Sequence, residues 1–486
     1  MGDFRLWGLV GLSGVMLTFL GVAGLVAVSV PWLGTADEPH HLDYAWQVYQ
    51  GTLPVWTDGP TIEIGRSLPS GQLAANHPPL YYLILAPLVG PLVESGDLRS
   101  ATLVGRGLTL GLGLLALASA SWSAYEITGK PRYAVIVPMT VSSLVPAVFF
   151  AGLVHNDVLF LGLAALGLGL SARLVRGDTS MATVSIAAIV GALGMATRVS
   201  FLGIFVAMLF AGMVGPFLIE SPTSQRVRAK GAVVTVSVLT TVAAVAIGWF
   251  YWRNVQMSGT PFRAVSQEYA GEMIGRRRRS FRTLVATSEF RWLLPSVLYG
   301  RPLSADFAPF RFAGLAINQL VSVVVMLGST TAFAFWGWRR RSSLLLRRST
   351  MVLGGLLILQ IPIALAQQIV HAVGWGAINP RYLLPGVFSI ALLISISAGE
   401  YRGKMSGVLP PAIALLGWGM LLAYLIGLLS SRWGLDVETL WPELVELSSS
   451  VNGVPPRTVE LLFLLMPLGL VFQIYSLLKL SRADRV

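Results

Sequence analysis

Acidic and imidazole side chains stand together directly after the first apolar segment of the sequence. The stretch 37–44 (DEPHHLDY) holds three carboxylates and two imidazoles within seven residues. That combination suits a general base or the binding of a hard divalent cation. An ordinary helix start with Asp37 as N-cap is the alternative. Charge this close to a bilayer is disfavoured unless it has a use, which favours a catalytic role for Asp37 and Glu38 and a substrate-binding role for His41.

Two later polar segments interrupt apolar sequence. The segment 76–82 (NHPPLYY) opens a short apolar run, and its two prolines force an extended start. It is either an aromatic belt with a proline turn or a platform that holds His77 toward the first loop, with Tyr81 and Tyr82 beside the substrate. The segment 155–157 (HND) breaks the apolar stretch 134–174. It is either the polar turn of a helical hairpin or part of a site shared with Asp37.

Arginines at the ends of apolar segments raise a different question. Arg198 lies between two apolar segments with no acidic residue nearby in the sequence, and Arg381 starts another apolar segment. An arginine at membrane depth is costly and usually has an anionic partner, for which phosphate is suited because guanidinium offers a planar fork of donors. Snorkelling to lipid headgroups is the alternative. Arg106 is a third candidate.

Several function classes are excluded or left without support. The chain has no cysteine, which excludes disulfides, thiolate metal sites and a cysteine nucleophile. It has no Walker lysine motif and no HExxH motif, so nucleotide-driven transport and zinc proteolysis have no support. The net charge of +12 is explained by anionic lipid headgroups or an anionic lipid-linked substrate, and we expect no nucleic-acid partner.

The elements that position these residues are membrane helices. Of 486 residues, 54% are hydrophobic and 12% charged, whereas a soluble domain carries roughly 25% charged residues. Hydropathy predicts an all-α polytopic membrane protein with about twelve transmembrane helices, forming a single domain over 1–486 without a separate soluble domain. The predicted spans are 6–33, 101–125, 131–153, 157–174, 181–197, 199–219, 231–252, 314–336, 351–371, 382–398, 407–430 and 458–480.

The short apolar run 79–93 is predicted to be interfacial, because twelve spans then place the short basic connections on the cytoplasmic side. The outer side receives the first loop (34–100 with its interfacial helix) and a long loop (253–313). All five histidines of the chain fall at outward ends, which is the strongest functional indication in the sequence. The run Arg276–Arg279 lies on the outer side and goes against the charge rule; contact with lipid headgroups is the favoured interpretation, and binding of an anionic acceptor the alternative.

Taken in order, these motifs resemble a known superfamily. They are the Asp-Glu after the first helix, the His-Pro-Pro-Leu-Tyr-Tyr segment, the Asn-Asp turn, the Arg-Asn pair at 253–254 and Pro-Arg-Tyr-Leu-Leu-Pro at 380–385. The set resembles the glycosyltransferase C (GT-C) superfamily, in particular the branch with protein O-mannosyltransferases and the lipid A aminoarabinose transferase. Many relatives carry a large C-terminal soluble domain that is not expected here.

The resemblance implies a multi-pass enzyme of the bacterial plasma membrane that takes a sugar from a polyprenyl phosphate on the outer face, with inversion. It implies Asp37 as general base with Glu38 as neighbour, and a second acidic position at Asp157 beside Asn156. It also implies a donor phosphate held by Arg198 and Arg381, with Tyr382 and Arg106 nearby. A divalent cation (Mg, Mn or Zn) held by Asp37, Asp157 and His155 is a further expectation. The acceptor is a hydroxyl on a protein, glycan, glycolipid or secreted peptide, and the competing interpretation is a lipid transporter or flippase.

Overall fold

The chain folds almost entirely into helices. The computed structural model describes residues 2–35, 37–63, 71–218, 224–265, 280–291, 293, 298–299, 311–312, 315–339, 348–375, 378, 380–400, 405–433 and 439–483. The helices there are α1 (Gly2–Ser29), α2 (Glu38–Tyr49), α3 (Leu80–Glu94), α4 (Leu98–Thr128), α5 (Tyr133–Val141), α6 (Val145–Ala151), α7 (Asp157–Val175), α8 (Met181–Met195), α9 (Leu202–Leu218), α10 (Gln225–Ser258), α11 (Phe281–Ala286), α12 (Ser288–Arg291), α13 (Ile317–Arg339), α14 (Arg348–Trp375), α15 (Leu384–Gly399), α16 (Met405–Trp433), α17 (Leu440–Ser450) and α18 (Pro456–Ala483). Short 3-10 helices cover Trp56–Asp58, Leu73–Asn76, Val199–Phe201 and Pro380–Leu383, and one antiparallel pair joins β1 (Arg311–Phe312) to β2 (Leu315–Ala316).

The protein is a multi-pass membrane protein. Within the described residues, ten helices are long and apolar enough to cross a bilayer: α1, α4, α7, α9, α10, α13, α14, α15, α16 and α18. They coincide with ten of the twelve predicted spans, which confirms the all-α membrane class. The other two predicted spans, 131–153 and 181–197, also fall on helices but not on full-length ones. The predicted count of twelve is therefore not established.

The predicted span 131–153 is not one helix, which corrects the sequence interpretation. It consists of α5 and α6, which meet at an angle of 75°. Leu144 between them has an extended backbone, and Pro146 stands in the first turn of α6. In a continuous helix Pro146 would have no N–H to donate to the carbonyl of Ser142, and its ring would clash with that carbonyl, whereas a proline is tolerated in the first turn of a new helix. Helix α5 therefore ends before it, and α6 begins in a new direction.

The bent pair still passes from one end of the bundle to the other. Arg132, just before α5, lies 2.6 Å from the carboxylate of Glu400, at the end of α15. His155, just after α6, lies 3.3 Å from Arg381, at the opposite end of the same helix. The pair α5–α6 is therefore a broken span, antiparallel to α15. Helix α8 also runs from one end of the bundle to the other, although it has only 15 residues.

The loops separate into two groups, one at each end of the bundle. At one end Asp37 contacts Arg381, Arg253 contacts the carbonyl of Pro54, and Asn452 contacts the main chain of Trp32. The other end gathers the segments predicted to be cytoplasmic: Lys130 and Arg132 pair with Glu400, and Arg173 pairs with Glu126. These contacts place the connections at one end of the bundle, as predicted. The side of the membrane that each end faces stays a prediction. The Arg276–Arg279 run lies outside the described residues.

Helices α2 and α3 form a small layer over the first end of the bundle. Helix α3 has 15 residues, buries Tyr81, Tyr82 and Leu85, and exposes Leu83 and Leu88 on its other face. The chain enters α3 next to His77 and begins α4 at the same end, where Arg106 contacts the end of α1. Helix α3 therefore begins and ends near the same end of the bundle, and the interfacial position of the run 79–93 stays a prediction.

Close packing of α1 against α18 joins the two ends of the chain. A Cβ atom added to Gly14 would lie 2.6 Å from the carbonyl oxygen of Gly469, so the two backbones touch. Gln473 on α18 donates to the carbonyl of Gly14 at 3.1 Å and to Thr18 at 2.8 Å. Small residues and interhelical hydrogen bonds of this kind stabilise helix pairs in membranes.

Candidate active site

Asp37 occupies the N-cap position of α2 but does not cap it. Its side chain accepts no hydrogen bond from the start of the helix. Instead it forms an ion pair with the Nη1 of Arg381, which stands just before α15, and the two side chains are 25% and 14% exposed. The carboxylate is thus held at the same end of the helix bundle as α2 and α3, within reach of a ligand. The capping explanation of Asp37 does not apply.

The charge of Arg381 controls the acidity of Asp37. Burial disfavours the carboxylate form, but the charge of Arg381 and its hydrogen bond outweigh this effect. The pKa of Asp37 therefore lies below its ordinary value, and the group is ionised at neutral pH. A carboxylate with a lowered pKa is a weak base as long as the arginine stays in place.

A second aspartate–arginine pair lies beside the first. Asp157, the first residue of α7, forms an ion pair with Arg198, which precedes the 3-10 helix at Val199; the two side chains are 1% and 7% exposed. The sequence showed no acidic residue near Arg198, and its partner is 41 positions away. Arg198 and Arg381, two of the three arginines predicted to bind phosphate, therefore hold aspartates in this structure.

His155 stands between the two pairs. Its Nε2 lies 3.3 Å from Nη1 of Arg381, and its Nδ1 lies 3.2 Å from the carboxylate of Asp157. The polar groups follow one another as Asp37, Arg381, His155, Asp157 and Arg198. Four separate stretches of sequence contribute them, and they meet where α2, α7 and α15 begin and at the turn before α9.

Aromatic rings line this chain of charges. The ring of Tyr382 lies 5.1 Å from the guanidinium carbon of Arg381 and 5.9 Å from that of Arg198, and its hydroxyl accepts a hydrogen bond from Arg381 at 3.3 Å. His371 packs on the same ring at 4.4 Å. Phe150 covers Arg381 from another side at 5.7 Å. Guanidinium groups over aromatic faces are stabilised by cation–π attraction without losing their hydrogen-bond donors.

The remaining predicted histidines converge on the same place. His41 accepts or donates a hydrogen bond with the hydroxyl of Tyr82 at 2.8 Å, and its ring lies 4.3 Å from that of His155 and 5.9 Å from that of His77. Burial lowers the pKa of His41 to about 3 and, together with the nearby cations, holds the pKa values of His77 and His155 well below their ordinary range. These rings are neutral near pH 7 and can serve as polar contacts rather than as cations.

Two predicted site residues face into the protein instead. Tyr81 is buried, and its hydroxyl bonds to Thr109 at 2.8 Å. Asn156 is buried as well, and its amide nitrogen donates to the carbonyl of Thr197 at 3.4 Å. Asn156 thus ties the turn that carries Asp157 to the turn that carries Arg198.

Glu38 and Arg106 also turn inward and pair with each other. Both side chains are 1% exposed and meet at 2.8 Å. Arg106 donates further hydrogen bonds to the carbonyls of Ala27, Val30 and Pro31. Glu38 accepts one from the main chain of Val154, next to His155. This pair fixes the start of α2 against α1 and α4, and neither side chain is accessible to an acceptor or a donor phosphate.

The predicted cation site is not assembled by the residues that the structure describes. Within those ranges, no three His, Asp or Glu side chains converge as metal ligands. Asp37 and Asp157 each face a guanidinium, whose positive charge opposes a cation at the same oxygen atoms. The donor set does not fit a divalent cation in this arrangement, and no chemical step is derived through one.

Sequence reasoning missed the residue that orders the first loop. Asp43 is completely buried, and its two oxygens accept hydrogen bonds from Gln47, Gln72, the side chain and main chain of Thr61, and the main chain of Ile62. Asp43 thereby ties α2 to the loop that covers it. The sequence did show a third carboxylate in this segment, six positions after Asp37. That spacing places Asp43 on a different face of the helix from Asp37, which could have indicated a different role.

Sequence comparison finds no protein-family model and no curated protein that matches this chain. Among solved structures, the chain is similar to ArnT from Cupriavidus metallidurans in the apo state, with 15% identity over 96% of this chain and 77% of ArnT, at a TM-score of 0.46. ArnT bound to undecaprenyl phosphate gives 15% identity, the same coverage and a TM-score of 0.44. The archaeal oligosaccharyltransferase AglB from Archaeoglobus fulgidus, in complex with an inhibitory peptide and a dolichol-phosphate, gives 14% identity over 88% of this chain and 59% of AglB, at a TM-score of 0.44.

TM-scores below 0.5 at such identities carry no information about individual site residues. The functional proposal rests on the contacts within this chain.

Proposed function

We propose that this protein is a membrane glycosyltransferase that moves a sugar from a polyprenyl-phosphate donor to an acceptor hydroxyl. The observation that carries the proposal is the convergence of a partly exposed carboxylate, Asp37, with two arginines at one end of a membrane bundle. A phosphate at the membrane surface needs cationic donors, and an acceptor hydroxyl needs a base. The site holds both kinds of group within one network.

The reaction assigns a separate task to each group. The acceptor oxygen forms a bond to the anomeric carbon, the bond from that carbon to the phosphate oxygen breaks, and the acceptor proton passes to Asp37. Polyprenyl phosphate leaves with one more negative charge than the phosphodiester carried. Arg381 and Arg198 would stabilise that developing charge. Attack from the face opposite the phosphate inverts the anomeric centre.

The pairing of Asp37 with Arg381 gives the resting site a low basicity. A donor phosphate would compete with Asp37 for the guanidinium of Arg381. Withdrawal of that positive charge raises the pKa of Asp37, because the carboxylate loses its stabilising partner while burial still disfavours ionisation. Donor binding itself would therefore make Asp37 a better base. Until a donor is present, Asp37 would remain a weak base toward the acceptor hydroxyl.

The predicted topology leads to further proposals about the orientation of the protein in the membrane and about its acceptor. The site end of the bundle would face outward from a bacterial plasma membrane, with the basic cluster of Lys130, Arg132 and Arg173 on the cytoplasmic side. The chain would act as a single membrane domain, so the acceptor would be bound by its own outer loops. Hydroxyls of a protein, glycan, glycolipid or secreted peptide are all chemically suitable acceptors.

The proposal is tested by a transfer assay on the purified protein in lipid bilayers. A panel of radiolabelled polyprenyl-phosphate sugars would be incubated with crude membrane acceptor, and the anomeric configuration of any product determined. Transfer from one donor with inversion supports the proposal, and a parallel reaction with a chelator tests the cation expectation directly. Absence of transfer from every donor by folded protein contradicts the proposal and makes lipid transport the function to test next.

A further inference from the structure

We propose that His155 is a positioning residue that couples the two aspartate–arginine pairs, so that a phosphate bound at one arginine changes the other. The inference rests on the proposed function for its ligand, but the coupling itself is a property of the side-chain network. His155 lies in the turn between α6 and α7, and its side chain is 3% exposed. It contacts a member of each pair and lies between them.

The contacts determine which ring nitrogen carries the proton. An arginine can only donate, so the Nε2 of His155, 3.3 Å from Arg381, must present its lone pair. The proton is then on Nδ1, 3.2 Å from the carboxylate of Asp157. The main-chain N–H of Asp157 also points at Nδ1, at 3.3 Å, and has no acceptor there in this tautomer. The other tautomer would set a proton against Arg381 and a lone pair against a carboxylate, which is the less favourable arrangement because both neighbours are charged. The Nδ1–H form satisfies both charged neighbours.

In this tautomer the ring contacts a cation through one nitrogen and an anion through the other. Arg381 polarises the ring from one side, and Asp157 does so from the other, so each contact strengthens the other. Movement of Arg381 from Asp37 toward a phosphate removes the donor at Nε2. Without that polarisation the contact of the ring with Asp157 weakens, so Asp157 has one donor fewer and holds Arg198 more firmly. A phosphate bound at Arg381 thereby changes the pairing of both arginines.

The surroundings of His155 hold the ring in this orientation. The ring of Phe150 lies 4.7 Å away and that of His41 4.3 Å away, so the imidazole is packed on two sides. The main chain of Val154 donates to Glu38, which is itself fixed by Arg106. The turn is thus anchored independently of the charges that His155 joins.

The first test is a double-mutant cycle on thermal unfolding of the full-length protein in detergent. Asp37→Asn, Asp157→Asn and the double variant would be compared in the native background and with His155→Asn or His155→Gln. Asparagine retains an amide near the Nδ1 position and glutamine one near Nε2, so each keeps one contact at most. We expect the changes in thermal unfolding caused by the two aspartate substitutions to be non-additive when His155 is present. They should be additive in the His155→Asn and His155→Gln backgrounds. His371→Asn, a histidine that packs on Tyr382 outside the connection, should leave the non-additivity in place.

The second test uses a ligand, namely polyprenyl phosphate added in mixed micelles, with binding followed by the shift in the unfolding midpoint. We expect the dissociation constant to fall by a factor of about 3 or more in His155→Gln, because the phosphate no longer has to break two contacts that strengthen each other, while the Michaelis constant for the acceptor stays unchanged. Additive aspartate effects in the native background would overturn the coupling even if the lipid binds. Non-additive effects in a protein that binds no polyprenyl phosphate would retain the coupling and overturn the proposed function.

Discussion

Exchange of Glu38 for glutamine removes one half of a buried ion pair and leaves the cation in place. Arg106 meets Glu38 through Nε and Nη2, each at 2.8 Å, and both side chains are 1% exposed. The three carbonyls around Arg106 cannot neutralise its charge. Breaking a buried pair on one side costs about 3–5 kcal/mol, because the remaining charge is uncompensated. We expect a loss of that size in the free energy of unfolding of Glu38→Gln.

The loss is measured by equilibrium unfolding in mixed micelles with increasing SDS, followed by far-ultraviolet circular dichroism. Arg106→Gln and the double variant complete a cycle, in which the double variant should lose less than the sum of the single losses. Glu126→Gln is a matched control, because its partner Arg173 is 37% exposed and such pairs contribute about 0–1 kcal/mol. Single losses below about 1 kcal/mol, or additive losses, would refute the assignment of this pair to the anchoring of α2.

Two further predictions concern packing and pH. Gly14→Val should destabilise the protein by about 1–3 kcal/mol, because the added atoms meet the backbone of Gly469, whereas Gly8→Val meets nothing within 4 Å and should have little effect in the same SDS titration. The value of kcat/KM should be constant from pH 7 down to about pH 5 and fall only below about pH 4. The carboxylate of Asp37 is the active form above its lowered pKa, and it is lost as the pH falls through that pKa. His41, with a pKa of about 3, stays neutral from pH 7 to pH 5. An acid limb centred near pH 6.5 would show instead that a histidine titrates.

Hydropathy and charge were sufficient to predict the frame of the molecule. Each span is a local run of apolar residues, so its existence can be read from sequence. The same local signals predict that the basic connections around Lys130 and Arg173 share one end of the bundle and that the histidines lie at the other end. The break at Leu144 was not visible in hydropathy, because Pro146 changes the direction of the helix without changing its apolar character.

The partners within the site were beyond sequence reasoning. Arg198 was expected to need an anion, which was correct in physical terms, but the structure supplies Asp157 from the preceding helix hairpin. Glu38 and Arg106 looked like independent candidates because 68 positions separate them, and they neutralise each other in the interior. Pairing between distant charges depends on how helices pack, which no single sequence segment contains.

The most direct test of the account is the turnover of Asp37→Asn in the transfer assay, with the donor that the wild-type protein uses. Asp58→Asn is the control, because Asp58 belongs to the same outer loop but is exposed. We predict that kcat falls by about 10²–10⁴-fold in Asp37→Asn, as expected for loss of a general base, and is unchanged in Asp58→Asn. Wild-type turnover in a folded Asp37→Asn variant would contradict the assignment of Asp37 as the base.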